Sequence, residues 1–127
     1  MVRPTAKELT ERELEVMHVF WDGGEMTATE ARACLAEVGV DRAYVTVANL
    51  IRILVEKGFL VAINDERPFV YKANRTFDDV SGSLIGDLIQ RVFGGSREKL
   101  LVHLLDNQRP LTRAERRLLK QILEGKK

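Results

Sequence analysis

The stretch AYVTVANLIRILVEKGFLVAINDERPFVYK, residues 43–72, decides the fold. In its first half, apolar residues recur at i, i+3, i+4 and i+7, which predicts a helix over 44–57 with one buried face. Gly58 is a typical helix stop. The two short apolar runs that follow, 59–63 and 69–72, flank a polar turn and predict a β-hairpin. Helix, glycine and hairpin in this order predict the second half of a winged-helix domain.

Two more helices are predicted upstream of this stretch. Residues 10–13 (TERE) and 27–30 (TATE) each place Thr and Glu three residues apart, the capping box that begins a helix. With the helix over 44–57 they form a three-helix helix-turn-helix head. The predicted fold class is therefore mainly α with a small β-hairpin wing. The buried side of the second helix is expected to hold Ala31, Cys34, Leu35 and Val38.

Three short amphipathic helices are predicted in the C-terminal part. The first covers 83–93, the second follows Ser96, and the third begins at a capping box in 112–115. Three helices in about 50 residues bury little apolar surface alone, so a second copy of the chain is the simplest partner. We expect 1–74 to be a winged-helix DNA-binding domain and 75–127 a helical dimerisation region. The residues expected at the dimer core are Leu84, Leu88, Ile89, Leu100, Leu101, Leu104, Leu119 and Ile122.

The composition excludes several classes of protein. With 127 residues, of which 45% are hydrophobic and 31% charged, the chain resembles a soluble globular protein. No apolar run reaches the roughly 20 residues of a membrane helix, and the N-terminus lacks a signal-peptide core, so we expect a cytoplasmic protein. The single cysteine, Cys34, precludes an intramolecular disulfide. No motif for a nucleophile, a phosphate loop or a metal centre is present, so we expect neither an enzyme nor a cofactor or bound metal.

Charge is divided unevenly along the chain. The formal net charge is +1, but residues 1–73 carry nine Lys and Arg against twelve Asp and Glu, while residues 74–127 carry eleven against seven. DNA binding by an acidic head requires its acids to lie away from the phosphates. The imbalance favours an alternative, a winged helix that contacts protein without binding DNA. Another alternative keeps DNA binding but has the C-terminal helices sense a small ligand.

The face of the helix over 44–57 opposite its apolar stripe suits the reading of DNA. Small and hydrogen-bonding residues occupy its first two turns, which lets a helix approach base edges closely. We expect Thr46, Asn49 and Arg52 to read the major groove, with Ala48 small enough to allow close contact. Most protein–DNA hydrogen bonds go to the backbone. The residues expected to bind it are Arg42 and Tyr44, together with Arg67 and Lys72 in the wing at 61–72.

Taken together and in order, these segments resemble the BlaI/MecI penicillinase-repressor family of bacterial transcription regulators. The resemblance covers nearly the whole chain, although each fragment alone is weakly specific. The matching segments are LTERELEVM at 9–17 with Trp21, AYVTV at 43–47 and EKGFL at 56–60 around the recognition helix, RPFVY at 67–71 in the wing, and 93–95 and 111–123 in the dimerisation region.

The resemblance implies a homodimeric repressor. Each winged helix would bind one half of an inverted-repeat operator, and the C-terminal helices would hold the dimer. In the family, a membrane sensor-protease system causes cleavage in the dimerisation region, which removes the avidity of the paired heads. This sequence departs from the family pattern at Val45 and Asn49, where Thr is frequent, at Ile53, where Arg is usual, and at His103-Leu104, which stands where the best-known members have a cleaved Asn-Phe pair.

Overall fold

The computed structural model describes residues 9–106 and 110–125, which fold into six helices and three short strands. The helices are α1 (Glu11–Gly23), α2 (Ala28–Glu37), α3 (Tyr44–Lys57), α4 (Phe77–Arg91), α5 (Arg97–Leu105) and α6 (Arg113–Leu123). The strands are β1 (Met26–Thr27), β2 (Leu60–Ala62) and β3 (Val70–Ala73). None of the described helices is both long and apolar enough to cross a membrane. The predicted fold class, mainly α with a small wing, is confirmed.

Short local signals set the helix ends. At α1, α2 and α6 the hydroxyl of Thr10, Thr27 or Thr112 accepts from the backbone N–H three residues later, where a Glu accepts in return from the threonine N–H. All the predicted capping boxes are therefore confirmed. α3 ends at Gly58, whose φ of 87° is left-handed, a conformation that glycine adopts without strain.

The predicted hairpin of β2 and β3 is extended by β1 into a three-stranded antiparallel sheet in the order β1-β3-β2. Leu60 pairs with Ala73 and Ala62 with Tyr71 across the hairpin, and Met26 pairs with Tyr71 on the other side. The sequence does not predict β1, because two residues are too short to show alternation. This strand ties the start of α2 to the wing.

The described residues up to Asp87 form one compact unit, which we call the head. Its core lies among α1, α2, α3 and the hairpin. The prediction that Val38 is buried is wrong: α2 ends at Glu37, and Val38 just beyond it is 72% exposed. The buried hydrophobic residues of the head are Val16, Met17, Val19, Phe20, Met26, Ala31, Leu35, Val47, Ile51, Leu54, Phe59, Leu60 and Val80.

The helix predicted over 83–93 begins earlier, at Phe77. The Thr76 hydroxyl accepts from the Asp79 N–H at 3.0 Å and so caps α4. The sequence Ser81-Gly82-Ser83 is typical of a loop, so the pattern did not predict helix before residue 83. A single glycine inside a helix is nevertheless tolerated at a modest cost in stability.

The first turns of α4 pack within the head. Val80 is 1% exposed in its core, and the Trp21 indole Nε1 donates to the Arg75 carbonyl at 2.9 Å. The Arg75 guanidinium lies 5.0 Å from the centre of the Phe59 ring and 2.7 Å from an Asp79 carboxylate oxygen. A fragment that contains the head alone must therefore include the first turns of α4 to keep these contacts. The functional boundary after residue 74 stays a prediction.

A second compact unit begins at Leu88. Ser96 caps α5 by accepting from the Lys99 N–H at 3.1 Å, and neither α5 nor α6 contains a buried residue. Apolar side chains on these helices are therefore left open to solvent, and dimerisation stays a prediction. Of the residues expected at the dimer core, Leu88, Leu101, Leu104 and Ile122 are exposed, and Leu84, Ile89, Leu100 and Leu119 are partly buried.

Candidate nucleic-acid interface

α3 is fixed in the head by one face and presents the opposite face. Val47, Ile51 and Leu54 are at most 1% exposed. Burial of each such side chain contributes about 1.5–3 kcal/mol, which fixes the rotation of the helix about its axis. The outward face, at i, i+4, i+7 and i+11, holds the exposed residues Val45, Asn49, Arg52 and Glu56.

Two of the four residues predicted to face the bases lie on this outward face. Asn49 and Arg52 are exposed, whereas Thr46 and Ala48 lie to either side and are partly buried. Val45, which was not predicted as a contact, is 67% exposed at the start of the same face. A search for hydrogen-bonding side chains misses it, but an apolar side chain there can contact a thymine methyl group.

Arg52 forms an ion pair on the surface of α3. Its Nη1 lies 2.7 Å from Glu56 Oε1, one turn away, and the two side chains are 62% and 58% exposed. Exposed pairs contribute roughly 0–1 kcal/mol, because water competes for both charges. A guanine edge or a phosphate can therefore replace Glu56 as the partner of Arg52 at little cost.

Asn64 closes the wing loop between β2 and β3. Its Nδ2 donates to the Pro68 carbonyl at 3.2 Å, and its Oδ1 accepts from the Val70 N–H at 2.9 Å. Arg67 is exposed on this loop, and its guanidinium lies 5.9 Å from the centre of the Phe69 ring. The loop thus holds one exposed cation beside an aromatic ring at the end of the hairpin.

A groove of about 610 Å³ lies where the start of α2, α3 and the wing meet. We call it the α3–wing groove. Three predicted DNA contacts, Tyr44, Arg52 and Arg67, line it together, whereas Thr46, Ala48, Asn49, Arg42 and Lys72 are not among its lining residues. The start of α2 also lines the groove but was not among the predicted contacts. Its capping box marked the start of the helix in the sequence, though not its position beside the wing. The other lining residues are Thr27, Ala28, Thr29, Pro68, Phe69 and Tyr71.

The charge of the α3–wing groove is opposite to that of the head as a whole. Among the described residues, its lining contains Arg52 and Arg67 and neither Asp nor Glu. A second groove, of about 450 Å³, is lined by α1 and the C-terminal end of α2. In the part of the chain that the structure describes, its lining contains Glu15, Asp22 and Glu37 but neither Lys nor Arg. The head therefore keeps at least three of its acids away from the groove between α3 and the wing.

Arg42 is placed differently from the other predicted backbone contacts. Its Nη2 lies 3.0 Å from Glu15 Oε1, and its side chain is only 24% exposed. Its carbonyl accepts from Arg32 Nε at 3.0 Å. Arg42 thus links the α2–α3 connection to α1. Lys72, in contrast, is exposed on β3.

A largely buried ion pair joins the start of α1 to the end of α3. Lys57 Nζ lies 2.9 Å from Glu13 Oε1, and Glu13 is 3% exposed. The Glu13 carboxylate also accepts from the Thr10 N–H at 2.9 Å. Burial raises the pKa of Glu13, but the hydrogen bonds from Lys57 and Thr10 and the Lys57 charge together outweigh it, so the pKa lies below its ordinary value of 4.5. Glu13 is therefore ionised at neutral pH and holds α3 in place.

The family model for penicillinase repressors matches residues 9–125. The chain belongs to the penicillinase repressor family. The resemblance drawn from the sequence is thereby confirmed over both the head and the C-terminal helices. As a member of this family the chain is a DNA-binding transcriptional repressor and not an enzyme. No curated protein matches the chain at a significant level.

Two solved structures resemble this penicillinase-repressor family member. The DNA-binding domain of the repressor BlaI is 26% identical, with 60% of this chain and 92% of that chain covered and a TM-score of 0.51. The complex structure of hsRosR-SG is 23% identical, with 80% and 93% covered and a TM-score of 0.53, a likeness that concerns the fold alone. Both agree with a winged-helix head.

Proposed function

We propose that this repressor acts as a dimer on an inverted-repeat operator, with one head on each half-site. α3, residues 44–57, enters the major groove, and the wing, residues 61–72, lies along the backbone. The observation that carries the proposal is the α3–wing groove, where Tyr44, Arg52 and Arg67 meet and no carboxylate of the described residues lies in the lining. Positive charge at that place attracts phosphates even though the head is net acidic.

The outward face of α3 divides the reading of bases among a few side chains. Asn49 suits the N6 and N7 atoms of adenine, and Arg52 suits O6 and N7 of guanine. Val45 offers methyl groups to thymine. Thr46 and Ala48, partly buried beside this face, are small enough to let the helix approach the base edges.

The backbone contacts come from the two sides of α3. Tyr44, Arg67 and Lys72 are exposed and free to meet phosphates without losing an ion pair that the structure records. Arg42 contributes less, because it would have to leave Glu15, at 3.0 Å, to bind a phosphate. Contacts of this kind set the register of the head but carry no sequence information.

The dimer is held by the apolar faces of the C-terminal helices. Leu101, Leu104 and Ile122 are each at least half exposed in the single chain, and covering them by a second copy removes this surface from water. Linking two heads raises the affinity for two adjacent half-sites by about 10²–10⁴ over a single head.

Release from DNA follows proteolysis in the dimerisation region by a membrane sensor-protease system. His103 and Leu104 lie in the last turns of α5. A helical peptide bond must unwind before it fits an extended protease cleft, and local opening costs least where few side chains are buried. α5 contains no buried residue, so local unfolding of the helix at His103-Leu104 costs little free energy.

Arg52→Ala tests the assignment of the reading face. The operator is first selected from a random duplex pool with the full-length chain, and the affinity is then measured by gel shift. Loss of a bidentate base contact should weaken operator binding about 5- to 150-fold, with unchanged urea unfolding. Arg12→Ala is the matched control, because Arg12 is exposed on α1, does not line the groove, and carries the same charge. Equal affinities of the two variants would contradict the assignment.

A salt titration separates the repressor from a protein-binding winged helix. A repressor that neutralises several phosphates should lose affinity steeply, with a log–log slope of about −0.9 per phosphate contact. Failure of the wild-type chain to enrich any sequence from the pool, or a flat salt dependence, would favour the protein-binding alternative.

A further inference from the structure

The groove between α1 and α2 has the size and lining of a small-molecule site. Its volume is about 450 Å³, within the roughly 300–1,000 Å³ of most ligand pockets. Buried Val19 and Leu35 supply apolar surface from the head's core, and Val40 and Cys34 are partly buried beside them. Val38, at 72% exposed, stands open to solvent at its edge. An apolar body that entered this groove would cover chiefly Cys34, Val38 and Val40, because Val19 and Leu35 are already buried.

Carboxylates surround this apolar surface. Glu15, Asp22 and Glu37 line the groove, and no Lys or Arg of residues 9–106 and 110–125 does. Glu15 already pairs with Arg42, 3.0 Å away. Asp22 and Glu37 are exposed and have no ion-pair partner recorded among residues 9–106 and 110–125. The groove therefore offers two carboxylates that are not engaged in an ion pair within the described residues.

One lining residue adds an aromatic surface. The His18 ring packs edge-on against the Trp21 ring, with centroids 5.3 Å apart, and also lines the groove. A flat or ring-bearing ligand can rest on it, since aromatic pairs favour offset or edge-to-face contact.

We propose that this groove is a binding site for a lipophilic organic cation, with the apolar body on Cys34, Val38 and Val40 and the positive charge beside Asp22 and Glu37. An anion of the same shape is excluded, because its charge would lie among carboxylates. A bare metal ion does not fit, since no group of three or more His, Cys, Asp or Glu placed to hold one is found in the described part of the chain. The site shares no lining residue with the α3–wing groove, and its test requires no DNA.

Tetraphenylphosphonium and tetraphenylborate form a matched pair of probes, alike in shape and opposite in charge. Calorimetric titration of the full-length chain should show binding of the cation and none of the anion. Cys34, the only cysteine of the chain, lines the groove and reports occupancy. The cation should slow alkylation of Cys34 by N-ethylmaleimide in proportion to the bound fraction, and the anion should leave the rate unchanged.

The variant Asp22→Asn with Glu37→Gln removes these two charges from exposed positions, so the fold should be retained. It should weaken cation binding about fivefold or more, as expected for two exposed charge contacts. Asp65→Asn with Glu66→Gln, on the exposed wing loop, changes the net charge equally and should leave binding unchanged. No cation binding at millimolar concentration, equal binding of the anion, unprotected Cys34, or equal weakening by the wing variant would each overturn the proposal.

Discussion

Replacement of Glu13 by Gln should destabilise the head by removing one ion pair. Glu13 is 3% exposed and accepts from Lys57 Nζ and from the Thr10 N–H, both at 2.9 Å. Glutamine has the same shape and keeps an oxygen for these donors, but it carries no charge. Glu30→Gln is the matched control, because Glu30 makes the same capping-box bonds with Thr27 from an exposed position, with no lysine contact recorded in the described chain.

The expected loss follows from the difference between these two sites. A hydrogen bond to a charged group contributes about 1.5–3 kcal/mol and a neutral one about 0.5–1.5 kcal/mol. Lys57 is 28% exposed, so water can solvate part of its charge once Glu13 is replaced. The loss of unfolding free energy therefore stays below the roughly 3–5 kcal/mol expected when a fully buried ion pair is broken. We therefore expect Glu13→Gln to lower the free energy of unfolding by about 1–2 kcal/mol, and Glu30→Gln by less than about 0.5 kcal/mol.

Urea unfolding at matched protein concentration measures both variants at neutral pH and in acid. The pKa of Glu13 in the folded head lies below its ordinary value of 4.5, so its stabilisation is complete above that pH and is lost as pH falls through the folded-state pKa. The deficit of Glu13→Gln should therefore shrink in acid. A deficit at neutral pH no larger than that of Glu30→Gln, or one that grows in acid, would refute this reasoning.

Three further changes test the wing, the packing of α4 and the dimer. Asn64→Ala removes both side-chain bonds that close the wing loop and should weaken operator binding about three- to tenfold in a gel shift, with a loss of unfolding free energy below about 1 kcal/mol. Trp21→Phe removes the indole Nε1 that donates to the Arg75 carbonyl at 2.9 Å and should lower the free energy of unfolding, measured in urea, by about 1–2 kcal/mol. Leu101→Asp places a charge on the exposed apolar face of α5; sedimentation should show a monomer, and operator affinity should fall by at least about 100-fold.

Elements with partners close in sequence were predictable. Each capping box joins residues three apart, so Thr10, Thr27 and Thr112 mark their helices without knowledge of the fold. Gly58 marks the end of α3 for the same reason. Its backbone is left-handed, and its N–H donates to carbonyls of the preceding turn. The stripe of α3 was visible because its period of 3.6 residues repeats over four turns.

Contacts between distant residues were not predictable from the sequence. Met26 pairs with Tyr71 through a strand of two residues, too short to leave a pattern. Arg42 looks like a free cation before α3, yet it is held by Glu15, 27 residues earlier in the chain. Val38 continues the helical spacing of α2 but lies beyond its end. The first two outcomes depend on tertiary packing, which local spacing does not encode, whereas Val38 is exposed because the helix ends one residue before it.

The placement of charge also depends on tertiary packing, and it accounts for part of the acidic count of the head. A count along the chain adds Glu15, Asp22 and Glu37 to the same total as Arg52 and Arg67. In the fold these three acids line the groove between α1 and α2, and the two arginines line the α3–wing groove. Because electrostatic attraction to a phosphate weakens with distance and is screened by salt, the local groove matters more than the sum.

Glu56 places an acid on the reading face itself, and its replacement tests how the head discriminates between sequences. In the free chain Glu56 holds Arg52 at 2.7 Å, and its charge is expected to repel the nearby phosphates of any DNA. In the operator complex that we propose, a guanine would take over Arg52, so the ion pair would already be broken there. Glu56→Gln removes both the repulsion of phosphates and the competition for Arg52, and the second of these lowers affinity mainly for non-specific DNA.

We therefore expect Glu56→Gln to raise affinity for a scrambled duplex about three- to tenfold at low salt, and affinity for the operator by less than about threefold. Competition gel shifts with the two duplexes measure both values in one experiment. An equal rise for both duplexes would mean that Glu56 acts only as distant charge. A fall in operator affinity would mean that Glu56 itself contacts the operator, for example by accepting from a cytosine amino group, and that Arg52 reads DNA only together with it.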